Sequence, residues 1–132
     1  MPRRPATVAV AVLLAAATFG GVTPGPAVTD ANIVARLAGI PSPPDNLAIA
    51  QYYRAKAKAE EPRIEVTDHL LRAYMQLEGK VYEPLKEQAR KLLRAARESK
   101  KRYELLAAAH QTLAFEMADD VGQPGTTPAA QR

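Results

Sequence analysis

The side chains best suited to chemistry are few in this 132-residue chain. They are His69 and His110, the thioethers Met75 and Met117, and eight basic residues between Lys86 and Arg102. Imidazole and thioether together suit copper or nickel. Their spacing does not: no H-x-x-x-H, no E-x-x-H and no methionine cluster occurs. Cysteine is absent, which removes disulfides, thiolate zinc sites and a thiol nucleophile. There is no Gly-rich phosphate loop and no G-x-S-x-G. The expectation is a chain with no metal, no cofactor and no catalytic residues.

The basic run has more to offer. Arg90, Arg94, Arg97 and Lys101 are spaced 4, 3 and 4 apart, which is one stripe along a helix. Such a stripe suits an anionic envelope surface, either lipid head groups or a polyanionic wall polymer. Nucleic acid is not expected as a partner, because no aromatic interleaving or binding motif accompanies the charges. A structural use competes with the binding use. Glu60, Glu61, Glu65 and Asp68 form an acidic segment that a hairpin would lay against the basic one.

The elements follow from composition and period. Alanine supplies 26 residues and aromatics only 5%, which favours helix over a sandwich or barrel. In the second half, Leu85, Ala89, Leu92, Ala96, Ser99, Tyr103, Leu106, His110, Leu113 and Met117 are separated by alternating steps of 4 and 3. That is a coiled-coil seam. In the first half the matching set is Ala48, Tyr52, Ala55, Ala59, Pro62, Val66, His69, Ala73 and Leu77.

A turn at Gly79–Glu83 then predicts an all-α, antiparallel two-helix hairpin, coiled-coil-like and about 50 Å long. Small residues of the first helix would face larger ones of the second. Tyr52 would meet His110 as a polar contact in the seam, with Tyr53 as the other candidate neighbour. His69 and His110 would lie about 25 Å apart along the rod, too far to share an ion. Leu71, Tyr74, Met75, Leu93 and Leu105 fall off this seam and would form a second apolar face. Pro62 sits inside the first helix, where it deletes a hydrogen bond at a cost of about 3 kcal/mol. A kink or break is expected near residues 58–62.

Both ends read as separate from the hairpin. Arg3 and Arg4 precede an uncharged stretch from Pro5 to Thr29, with an apolar run at Val8–Phe19. This is the layout of a secretory signal, cleaved near Ala27. The expected segments are a signal over 1–27, a short helix and Pro-rich linker over 28–44, the hairpin over 45–118 and a disordered tail over 119–132. Asp30 and Asp45 are the expected helix caps. Residues 28–132 would carry 16 basic against 14 acidic side chains, so much of the net charge of +4 belongs to the signal. The expected location is periplasmic or extracellular, with an uncleaved N-terminal membrane anchor as the alternative.

The stretch Gln51-Tyr52-Tyr53-Arg54-Ala55-Lys56-Ala57, with Tyr103-Glu104-Leu105-Leu106-Ala107-Ala108-Ala109-His110, resembles a set of small exported bacterial helical-hairpin proteins. These often begin the second helix with a His-Cys pair. Here that region reads Lys86-Glu87-Gln88-Ala89, so a role carried by the pair does not transfer. The resemblance implies fold and export, not activity. Three functions fit: a structural or protein-interaction role through self-association or an envelope partner; a periplasmic stress protein, acting as a holdase-type chaperone or metal-linked sensor; and an anionic-surface binder using the basic stripe.

Overall fold

A computed structural model of the chain describes residues 21–122. Within them lie three α-helices and no strand: α1 (Ile33–Leu37), α2 (Pro43–Met75) and α3 (Glu83–Gly122). The expected apolar run of the export signal lies outside the described residues. So do residues 123–132 of the expected tail, whereas Asp119–Gly122 continue α3 as helix.

The caps differ from those expected. Asn32, not Asp30, stands at the start of α1; its side-chain Oδ1 accepts from the Thr29 N–H at 2.8 Å. The start of α2 is set by Ser42, with Pro43 and Pro44 as the first helical residues. Proline has no N–H to lose there and its fixed φ suits the first turn. Asp45 therefore sits one turn inside. Its N–H donates to Ser42 Oγ at 3.3 Å, and the Ser42 hydroxyl donates back to its carboxylate at 3.0 Å. The Ser42 side chain thus satisfies one free N–H of the first turn, as an N-cap does. Arg36 adds an ion pair to Asp45 at 2.9 Å, tying α1 to α2.

The hairpin turns at Gly79, whose φ of +114° suits only glycine comfortably. A short 3₁₀ turn at Lys80–Tyr82 leads into α3. α2 and α3 pack along their lengths, and both are long.

No break occurs at Pro62: α2 is one helix from Pro43 to Met75. The reason is its side. Pro62 and Lys58 are both exposed, so the carbonyl that proline leaves without a donor, four residues back, meets water instead of the core. Ala48, expected on the seam, is buried, but from Ala55 onward α2 is rotated. Ala55, Ala59, Val66, His69 and Ala73, assigned to the seam with Pro62, are exposed with it. The residues turned inward are Ala50, Tyr53, Ala57, Ile64, Leu71 and Tyr74, all buried or half-buried.

α3 rotates to match. Ala89, Ala96, Tyr103, His110 and Met117 do face the seam, but the alternate positions move by one residue. Leu93 is 5% exposed and Leu92 54%. Lys86, Ala107 and Ala114 are buried where Leu85, Leu106 and Leu113 are not. The expected size relation does not hold: both helices bring small and large side chains to the core. α3 supplies Ala89, Ala96, Ala107 and Ala114 beside the bulk of Leu93, and α2 supplies Leu47 and Ile49 beside Ala48, Ala50 and Ala57. Leu93, expected on a flank, is core.

Candidate functional site

Three features stand out on this rod. The first is a polar and aromatic cluster where the start of α2 meets the far end of α3. Asn46 is 2% exposed. Its amide nitrogen donates to the Pro41 carbonyl at 3.1 Å and reaches Met117 Sδ at 3.5 Å. Its Oδ1 lies 2.9 Å from His110 Nδ1. With the amide so oriented, Nδ1 must carry the proton and Nε2 is the acceptor. Burial lowers the His110 pKa, so the neutral ring is favoured.

The His110 ring stacks on Tyr53, with centroids 5.7 Å apart, and Tyr103 stacks on Tyr53 at 6.2 Å. Of the two expected neighbours of His110, Tyr53 makes the contact and Tyr52 does not. Tyr52 turns outward, its ring edge-on to Tyr53 at 5.2 Å. Its hydroxyl donates to Asp30 at 2.7 Å, and Lys56 pairs with the same carboxylate oxygen at 2.6 Å. Hydrogen bonds from Lys56 and then Tyr52 lower the Asp30 pKa, and that carboxylate raises both of theirs. Asn46 was not foreseen from the sequence. Its only signal there is a polar residue one position past the capping aspartate.

The second feature contains the basic stripe. Arg90, Arg94, Arg97 and Lys101 all line one open groove of about 620 Å³, with Leu71 and Leu93 in its wall. Two of the four are engaged: Arg97 pairs with Asp68 at 3.7 Å, and Arg90 with Glu87 at 3.7 Å. Arg94 and Lys101 have no ion pair among the described residues. Across the hairpin, Lys100 meets Glu61 at 3.3 Å. Two of the four residues in the acidic segment therefore face α3. Of the other two, Glu60 pairs with Arg63 at 3.3 Å within α2.

The third feature lies on the opposite side. Leu85, Leu92, Leu106 and Leu113 are each 42–54% exposed and seven or fourteen residues apart, which makes one straight stripe on α3. Beside it, Leu70, Thr67 and Tyr74 of α2 join Leu85, Gln88, Ala89 and Leu92 around a hollow of about 120 Å³. Val66, also exposed, is one turn before Leu70.

Among the described residues no group of three or more His, Cys, Asp or Glu side chains converges as a metal site. His69 is exposed on α2 and does not join His110. No helix of the described residues is long and apolar enough to cross a membrane. No family model, curated protein or solved structure matches the chain.

Proposed function

We propose that this chain is a small exported helical-hairpin protein of the bacterial envelope that works through protein contact, by self-association or by binding an envelope partner. One observation carries the reading. A heptad row of leucines lies on the outside of α3, beside a hollow that α2 completes. Contiguous exposed apolar surface of this kind marks an interaction face. The basic, then apolar, then Gly/Pro-containing order of residues 3–27 supports export. Light scattering across a dilution series tests the contact role. The expected result is a mass above the 14.3 kDa of one chain that falls on dilution, or saturable binding to an envelope protein. A monomer at every concentration, with no envelope protein bound, overturns it.

A second reading has its own observation. All four stripe residues line one groove, and two of them lack an acidic partner among the described residues. That supports peripheral contact with an anionic envelope surface through Arg90, Arg94, Arg97 and Lys101.

A further inference from the structure

We propose that the basic groove is a seat for an anionic phospholipid of a bilayer surface, its phosphate held by Arg94, Arg97 and Lys101 and its uppermost acyl carbons lying on Leu71 and Leu93. The proposal rests on the anionic-surface reading and names which anion the groove takes.

The groove is more than a charged strip. Arg90, Arg94, Arg97 and Lys101 extend about 16 Å along α3. Between them and α2 the wall is Leu71 and Leu93. Leu71 is half-buried and Leu93 buried, so the hairpin covers their backs and leaves an edge of each to the groove. The methylene stems of the basic side chains add to this apolar wall, because such residues keep only their heads in water. Met75, 49% exposed and one turn beyond Leu71, continues it; Arg90 Nη2 lies 3.3 Å from its Sδ. An open volume of about 620 Å³ is that of a ligand cleft, not of a gap between side chains.

Charge in the groove is unbalanced. Glu98 lines it but pairs with Arg102 at 2.8 Å. Asp68 is shared between Arg72 at 2.8 Å and Arg97 at 3.7 Å, so Arg97 holds the longer contact. Arg94 and Lys101, both exposed and two turns apart, have no acidic partner among the described residues. Arg97 falls between them on the same stripe. Three cations beside one apolar wall attract an anion that is carried on hydrocarbon.

Other occupants leave part of this arrangement unused. A soluble polyanion, such as a wall polymer, would neutralise the cations and leave Leu71, Leu93 and Met75 in water. An uncharged apolar chain would cover the leucines and leave Arg94 and Lys101 unpaired. A phospholipid does both, with guanidinium forks on phosphate and hydrocarbon against leucine. Binding at a membrane interface grows with buried apolar area and with attraction to anionic lipid together. The groove runs along α3, so the rod lies in the plane of the bilayer.

Tryptophan is absent from the chain, so a single one reports its own surroundings in the full-length protein. Leu71→Trp and Met75→Trp place it on the groove wall, and Leu92→Trp places it on the opposite side. Circular dichroism checks that each remains helical; Met75 is exposed, so Met75→Trp reads the wall should Leu71→Trp fold poorly. The probe is vesicles of phosphatidylglycerol and phosphatidylcholine in equal parts. Emission from both groove positions should move to the blue and be quenched by bromine on the upper acyl carbons, with neither change at Leu92→Trp. Pure phosphatidylcholine should give no change at any position. Leu71→Gln keeps every charge and should weaken binding to the mixed vesicles about tenfold, roughly what losing the exposed half of a leucine contact costs. Its binding to polyphosphate should be unaltered. Vesicle binding with no blue shift in the groove, with an equal shift at Leu92→Trp, or undiminished in Leu71→Gln overturns the lipid seat and leaves the anionic-surface reading standing. So does binding to polyphosphate but not to vesicles. Binding to neither removes both.

Discussion

Leu92 and Leu93 are neighbours of identical chemistry, yet the rotated seam gives them different costs. Replacing either with alanine removes the same atoms and barely changes helix propensity, so the difference reads out packing alone. Leu93 is 5% exposed and Leu92 54%. A buried Leu→Ala change costs about 2–5 kcal/mol, depending on how far the site collapses. Leu93 borders the open basic groove, which allows some relaxation, so about 2–3 kcal/mol is expected. For a folded unit of roughly 100 residues this lowers Tm by about 8–20 °C. Leu92 forfeits only about half of a transfer term worth about 0.8 kcal/mol per methylene, so about 1 kcal/mol. The assay is thermal unfolding followed at 222 nm, at low micromolar protein, where association adds little. Repeated at high concentration, the cost of Leu92→Ala should grow, because binding only the folded state adds stability by mass action. Equal losses at low concentration, or a larger loss for Leu92→Ala, would refute the rotated seam.

Asn46→Ala removes the side chain that joins the start of α2 to the end of α3. At about 1 kcal/mol for each of its two hydrogen bonds to oxygen or nitrogen partners, a loss near 2 kcal/mol is expected in denaturant titration. Arg54→Ala, which removes the exposed contact to Gln111, should cost under about 0.5 kcal/mol. For His110 the folded pKa lies below the ordinary value of 6.5, so the unfolded chain takes up the proton first. Its contribution is whole above that value and is lost as pH falls through it. Tm measured from pH 7.5 to 5 should therefore decline less in His110→Gln than in the unaltered protein. Should the basic groove contact anionic membranes, binding to phosphatidylglycerol vesicles will weaken steeply with salt. It will fall at least tenfold when Arg90, Arg94, Arg97 and Lys101 all become Gln; unchanged vesicle flotation after that change removes this contact.

The helical class, the turn near Gly79 and the pairing of the two long helices were legible because they rest on local signals. Alanine content, heptad steps and one glycine needing positive φ suffice for those. The facing of the helices was less legible. Two adjacent heptad stripes run along α3: one holds Leu85, Leu92, Leu106 and Leu113, the other Lys86, Leu93, Lys100, Ala107 and Ala114. Apolarity alone favours the first. What decides is Pro62, whose stripe on α2 must face water, and that turns Ile64, Leu71 and Tyr74 inward. Ala89 and Ala96 of α3 leave room for these larger side chains. The Tyr53–His110 stack follows from the same rotation, which exchanges Tyr53 for Tyr52.

The rotation leaves the hairpin with two unlike sides. One carries the cross-helix polar contacts: Arg97 to Asp68, Lys100 to Glu61 and Arg54 to Gln111. These are exposed or partly exposed, so each adds little stability. Their effect is to fix which residues of α2 lie opposite which of α3. The other side has leucine on α3, and its α2 residues Lys56 and Arg63 pair with Asp30 and Glu60 rather than with α3 among the described residues. That leucine row stays 42–54% exposed, and covering it would bury further apolar surface. The small alanine core points the same way. Two helices bury limited apolar area, and folds of this size are marginal without further burial. Covering the leucine stripe supplies that burial while leaving the basic groove open, so protein contact and contact with an anionic surface are compatible on one rod.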